Sequence, residues 1–293
     1  MPRAKRFQVL VATDGSASAR AALATAVRFP WPAETRGSAV VVKEVRADYR
    51  RSILLAALDR TSEVNASRAS RAISKRWPDG SARLVDAEPI HGILTDAKRV
   101  GADVIVMGWR GHGAVRRLLT GSVSHGVVRR ASCSVLVVRR PLRELRRVIV
   151  AYDGSPHADR ALAFLAALTP KRGTRATLFR AVDTMHVPAQ GLITADTRAS
   201  VAAEVARINN ERRTSARKEL SRAAKTLSAA GWRVNEVVTE GAPLRDLLAT
   251  VQEARADLVV VGAKGVTGLR HLLLGSVAEG ALNRSPVPVL VVR

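Results

Sequence analysis

Two stretches of the chain combine glycine, serine and basic residues at matching spacing. The first reads GWRGHGAVRRLLTGSVSHGV, residues 108–127, and the second GAKGVTGLRHLLLGSVAEGA, residues 262–281. Glycines stand at 108, 111, 113 and 121 in one, and at 262, 265, 268 and 275 in the other. Glycine lets a backbone approach a ligand closely and take positive φ. Gly121-Ser122-Val123 and Gly275-Ser276-Val277 begin what reads as a helix. A helix start offers unpaired N–H groups and a positive dipole end, both suited to phosphate, and each serine adds a hydroxyl. Arg110, Arg116 and Arg117 lie on the first stretch; Lys264, Arg270 and His271 lie on the second. The chemistry this pattern supports is capture of an oligophosphate, the first glycine pair opening the wrap and Gly-Ser closing it. One such stretch can also be read as a solvent-exposed turn, the less favoured of the two readings. A second copy with the same spacing argues against that.

Other site chemistries fit less well. Neither stretch carries the Gly-x4-Gly-Lys-Ser/Thr of a Walker loop. The dinucleotide fingerprint needs Gly-x-Gly-x-x-Gly after the first strand, and the first strand here runs into Asp-Gly-Ser instead. Asp14 and Asp153 head those Asp-Gly-Ser turns. Either aspartate can hold a magnesium ion through phosphate-bound water or close an Asx turn that caps the next helix, and one residue can do both. The histidines show no metal-ligand spacing. Ser16, Ser122 and His125 lack the Gly-x-Ser-x-Gly elbow of a hydrolase. No catalytic residue is assigned, and any phosphate hydrolysis would be slow, through positioning and charge alone. Cys133, the one cysteine, precedes an apolar run and reads as a buried, inert thiol.

The elements that must position these residues occur twice. RFQVLVATDGSASARAALATAV (6–27) lines up with RRVIVAYDGSPHADRALAFLAAL (146–168), ADVIVMGWRGHG (102–113) with ADLVVVGAKGVTG (256–268), and CSVLVVRR (133–140) with VPVLVVR (287–293). Strands are predicted near 7–12, 39–45, 82–87, 103–107 and 134–138, then near 147–152, 176–182, 233–239, 257–261 and 287–292. Helices are predicted near 17–29, 52–76, 91–100 and 122–131, then near 156–168, 196–230, 243–254 and 276–284. The strands are near-continuous apolar runs, as when both faces of a sheet are covered. Strand–helix alternation implies right-handed crossovers and a parallel sheet. Each half, 1–141 and 142–293, is therefore expected to be a five-stranded doubly wound α/β unit, joined near RRPLRELRR (139–147). In such sheets ligands bind beyond the carboxyl ends of the strands, where the winding reverses. Both glycine stretches fall there.

The final apolar strand of each half would leave an exposed edge, which invites pairing; the simplest arrangement joins the halves antiparallel. A homodimer of whole chains stays open. The long segment 196–230 reads as a helix covering the sheet or as a docking surface for a protein partner that the sequence does not identify. Its imperfect apolar stripe is Val201, Val205, Ile208 and Leu220. The net charge of +23 favours anionic ligands, but only 3% of residues are aromatic, which argues against a single-stranded nucleic acid gripped by stacking. No apolar stretch reaches membrane-spanning length and the start does not read as a signal peptide, so a cytoplasmic location is expected.

Gly-x2-Gly-x9-Gly-Ser is matched in full by Gly108, Gly111, Gly121 and Ser122 and again by Gly262, Gly265, Gly275 and Ser276. With the first-strand Asp-Gly-Ser and the final Val-Leu-Val-Val, the chain resembles the universal stress proteins, twice over. The resemblance implies ATP in each half, strand order 3-2-1-4-5, and pairing of halves through their last strands. It implies that Asp14, Gly15 and Ser16, with Asp153, Gly154 and Ser155, line the crevices beside ribose and phosphate. The adenine would meet the end of the second strand, read as Glu44 in the first half and Ala181 in the second. The function implied is a nucleotide-dependent stress-response or signalling protein. The alternatives are a slow ATPase or nucleotidyl-transfer enzyme, and a basic protein associated with nucleic acid.

Overall fold

The computed structural model describes residues 6–43, 53–109, 121–187, 195–265 and 274–293. The first half runs β1 (Gln8–Ala12), α1 (Ala17–Arg28), β2 (Arg36–Lys43), α2 (Ile53–Ser74), β3 (Ala82–Asp86), α3 (Pro89–Val100), β4 (Val104–Gly108), α4 (Ser122–Arg130) and β5 (Ser134–Val138). The second repeats this order as β6 (Arg147–Ala151), α5 (Pro156–Ala167), β7 (Arg175–Val182), α6 (Ala195–Ala229), β8 (Arg233–Glu240), α7 (Pro243–Glu253), β9 (Leu258–Gly262), α8 (Ser276–Arg284) and β10 (Val289–Val292). The last strand begins two residues later than the apolar run suggests. Proline 288 has no N–H to give a ladder, and the Val287 N–H is taken by the Ser285 hydroxyl at 3.2 Å.

Each half has the order 3-2-1-4-5 with parallel neighbours, and the two fuse into one ten-stranded sheet, β3-β2-β1-β4-β5-β10-β9-β6-β7-β8. Among the described residues the seam is the single antiparallel pair, with Leu290 opposite Leu136 and Val289 opposite Val137. Both strands at the seam are buried along their whole length.

Each face of the sheet carries one continuous apolar layer that spans both halves. One joins Phe29, Ile73 and Leu136 to Leu165, Leu220 and Leu290 beneath α1, α2, α5 and α6. The other joins Leu10, Ile105 and Val137 to Val259, Leu282 and Val291 beneath α3, α4, α7 and α8. Phe7, Phe29, Trp31 and Phe164 gather where the halves meet. Phe7 of the first half meets Phe164 of the second edge-on at 5.7 Å and stacks on Trp31 at 6.0 Å. The Thr169 hydroxyl donates to the Trp31 carbonyl at 3.0 Å.

The 35-residue helix α6 covers the sheet with Ala216, Leu220, Ala223 and Leu227, all 3% exposed or less. That spacing of four, three and four is one helical face. Of the larger apolar residues read as its stripe, Leu220 is in the core and Val205 is buried, whereas Val201 and Ile208 are only partly covered. Ala216 and Ala223 share the contact with Leu220 and Leu227, the small side chains letting helix and sheet approach closely.

A shared sheet and shared apolar layers require the halves to unfold together. Leu290→Ala is expected to lower stability by about 2–5 kcal/mol and to move one urea transition as a unit. Two transitions, with only one displaced, would contradict this.

Candidate functional site

The Asp-Gly-Ser turns are built alike in both halves. Asp14 Oδ1 accepts the Ser16 N–H at 2.9 Å, and Asp153 Oδ1 accepts the Ser155 N–H at 3.0 Å. Gly15 and Gly154 both sit at φ +78°, where a residue with a Cβ is strained. Ser16 and Ser155 are helix N-caps, their hydroxyls accepting from Ala19 and Ala158 at 3.2 Å. The Asx turn anticipated from sequence is present, but the cap of each helix is the serine two residues on and not the aspartate. Each turn is covered by its long helix. Asn65 of α2 donates to the Asp14 carbonyl at 3.0 Å, whereas in the second half the Arg180–Glu219 ion pair lies over Gly154. Asn65, Arg180 and Glu219 escaped the sequence reading, because only the crossover helix and the sheet bring them to the turn.

Gly108 and Gly262 end β4 and β9 directly against the first turn of the neighbouring helix. A Cβ on Gly108 would lie 2.6 Å from the Ser18 backbone, and one on Gly262 would lie 2.7 Å from the His157 backbone. These glycines serve close strand–helix packing. Gly265 is tight for a different reason: a Cβ there would sit 2.6 Å from Asp153 Oδ2, so the aspartate lies against the glycine-stretch backbone. Ser155 Oγ points to the Lys264 carbonyl at 3.4 Å. In the second half, then, Asp153, Ser155, Lys264 and Gly265 converge.

Gly121 and Gly275 are the N-caps of α4 and α8, and neither helix start has a side-chain cap. Their φ values, −68° and −63°, are ordinary, so positive φ is not what these two glycines supply. Gly275 instead lies close to backbone: its N–H donates to the Ala263 carbonyl at 2.8 Å, and a Cβ would fall 3.4 Å from Gly265 N and Lys264 Cα. Ser122 and Val123, with Ser276 and Val277, form the first turns of these two helices. Arg110, Gly111 and Glu44 lie outside the described residues, as do Arg116, Arg117, Arg270 and His271.

Sheet register corrects one correspondence. Gln8 pairs with Arg36 and Arg147 with Arg175, which matches Ala181 to Val42 and Glu44 to Asp183. The earlier match of Glu44 to Ala181 is two residues out, because it aligned strand ends without the partner strand that fixes register. Val42 and Ala181 are both small and apolar, and both pack on the same layer of the core.

The far ends of α4 and α8 meet across the seam. Arg139, just after β5, donates to the Leu282 carbonyl near the end of α8, and Arg293, just after β10, donates to the Val128 and Arg129 carbonyls of α4 at 2.6 and 2.9 Å. A cation there complements the negative end of a helix dipole. Arg139 also lies 3.6 Å over the Trp109 ring, and Arg129 pairs with Glu279. His125 of α4 sits in this cluster, facing Arg129, Glu279, Asn283 and Arg139. Burial first, and then the Arg129 charge, hold its pKa below the ordinary value. Burial likewise pushes the half-buried Cys133 thiol up to about 11, which keeps it protonated and unreactive.

Among the described residues no helix is long and apolar enough to cross a membrane. The Universal stress protein family model matches residues 6–139 and again residues 144–293. The universal stress protein Rv2005c of Mycobacterium tuberculosis is 34% identical over 207 residues, 66% of this chain and 62% of that protein. The chain thus spans less than two thirds of that relative's length. A second relative from the same species, universal stress protein MT2052, is 31% identical over 229 residues, 73% of this chain and 67% of its own. A universal stress protein crystal structure from Archaeoglobus fulgidus superposes over 98% of both chains with a TM-score of 0.67 at 22% identity, a likeness of fold.

Because the folded state lowers the His125 pKa, the unfolded chain takes up that proton first as the pH falls. The contribution is complete above about pH 6.5 and is lost as the pH drops from there through the folded value. Melting temperature is expected to fall between pH 7 and pH 5, and His125→Gln to flatten part of that slope. An unchanged slope in the variant would assign it to other groups.

Proposed function

Because the chain belongs, over both halves, to the universal stress protein family, we propose that each half binds an adenine nucleotide, ATP foremost, at the carboxyl ends of its strands, and that occupancy sets partner choice in a stress response. The observation that carries this reading is the cradle of the second half. There the Asp153 carboxylate lies against Gly265 and Ser155 reaches Lys264, beside the start of α8, which no side chain caps. A helix start without a side-chain cap has N–H groups left for phosphate oxygens, and a close-packed glycine backbone leaves room for them. Gly108, Gly121, Ser122 and the Asp14 turn repeat these parts in the first half.

In this reading the adenine lies toward Val42 in one half and Ala181 in the other, both apolar, so the two halves, 1–141 and 142–293, offer like surfaces to the base. The basic residues of the glycine stretches add long-range attraction. Among the described residues no group of three or more His, Cys, Asp or Glu is gathered to hold a metal. Magnesium would therefore arrive on the phosphates, with Asp14 and Asp153 reaching it through water.

Equilibrium dialysis against ATP is expected to give two nucleotides per chain in the native protein and one in Gly275→Val. Valine suits the φ of −63° and ψ of 149° at that position, so the fold should survive, while its methyl groups crowd the backbone of Lys264 and Gly265. Two nucleotides retained in the folded variant would overturn the placement. Affinity is also expected to weaken severalfold from low to high salt, as screening removes the attraction of the basic stretches. A flat response would deny those residues a role.

A further inference from the structure

At the amino-terminal ends of the second half's strands, opposite that half's own glycine stretch, the second half has a cavity of about 340 Å³ lined by Arg140, Arg147 and Arg255, with Gln252 and Asp257 beside them and Val251 and Val287 as apolar lining. Arg140 comes from the segment joining the halves, Arg147 opens β6, and Arg255 follows α7. We propose that this cavity is a binding site for the phosphate group of a small phosphomonoester, separate from the nucleotide crevices.

The three guanidinium groups have little to neutralise them. The side chains of Arg140 and Arg255 make no ion pair or hydrogen bond among the described residues. Arg147 faces Asp257 at 3.9 Å, but Asp257 Oδ2 already accepts the backbone N–H groups of Arg146 and Arg147, at 3.0 and 2.8 Å. Arg147 Nε is buried and has no hydrogen-bond partner among the described residues. Buried donors are normally satisfied, so a missing acceptor beside an arginine-lined cavity points to an anion.

The duplicated half supplies an internal comparison. Asp103 stands where Asp257 stands and accepts the Gln8 N–H at 2.8 Å, so the aspartate serves strand entry in both halves. The arginines have no such common role. Gln8 occupies the place of Arg147, Gly101 that of Arg255, and Lys98 that of Gln252. Gly101 takes φ +63° as the C-cap of α3, while Arg255 takes φ +47° in the matching turn after α7. A residue with a Cβ resists that conformation, and such strain collects at functional positions. One half thus keeps the relaxed glycine, and the other holds a strained arginine at the rim of a cavity.

Phosphate suits the set, since guanidinium forks match its oxygens in pairs. The volume exceeds that of a single phosphate, and the valines offer apolar contact to a small organic remainder.

The test is a titration of the full chain with inorganic phosphate, followed by backbone amide NMR. Saturable shifts are expected at Arg147 and at Arg255–Asp257. Arg255→Gly installs the residue of the other half and suits the backbone, so its melting temperature should not fall. Its phosphate affinity at those amides should drop at least tenfold, with a smaller loss in Arg140→Gln. Shifts confined to the glycine stretches, native affinity at those amides in Arg255→Gly, or tighter binding of succinate than of phosphate would each overturn the proposal. None of these outcomes depends on whether ATP binds in the crevices.

Discussion

The constraint on which the rest of the molecule depends is that β5 and β10 are apolar on both faces and cannot be left at an edge. Unpaired edges recruit other chains. Pairing the two strands with each other buries both ladders and converts two open sheets into one. The edges that remain, β3 and β8, are partly exposed and carry charges such as Arg83, Arg233 and Glu236. The same pairing brings α4 and α8 alongside each other, where Arg139 and Arg293 each reach across to the carbonyl end of the other half's helix. The start of each of these helices is the Gly-Ser of a candidate phosphate site. An element of each site is thereby held in place by the opposite half.

Within each half, glycine serves several physical ends that look alike in sequence. Gly15 and Gly154 permit a left-handed turn; Gly108 and Gly262 permit a strand to end against a helix backbone. Gly265 leaves room for a carboxylate, and Gly121 and Gly275 leave helix starts without a side-chain cap. The crevice exists because these requirements are met within a few residues of one another, at the carboxyl ends of β1, β4, β6 and β9. A signature of this kind records packing as well as binding.

Duplication also separates what the fold needs from what one half has acquired. The Asp-Gly-Ser turn, the strand-end glycine and the aspartate at strand entry occur twice, with the same contacts. Asn65 in one half and Arg180–Glu219 in the other cover the same turn by different chemistry. Arg147 and Arg255 stand where the other half has glutamine and glycine. Differences of that sort lie in side chains that the sheet does not require.

The sequence by itself determined the repeat, the alternation of strand and helix and the Asx turns, each of which follows from local periodicity or from a short motif whose geometry is set by its own residues. The antiparallel joining of the halves followed from two apolar last strands that could not stay exposed, and the order 3-2-1-4-5 was implied by the resemblance to the universal stress proteins. Tertiary structure alone decided the register that matches Ala181 to Val42, since register belongs to a pair of strands and not to either one. It decided that Ala216 and Ala223 meet the sheet beside Leu220 and Leu227, while Val201 and Ile208 stay partly exposed, because the space between helix and sheet is set by everything packed around it. It also brought Asn65, Glu219 and the three cavity arginines to their places. Those residues are far apart in the chain, and only the crossovers that wind helices over the sheet put them within reach.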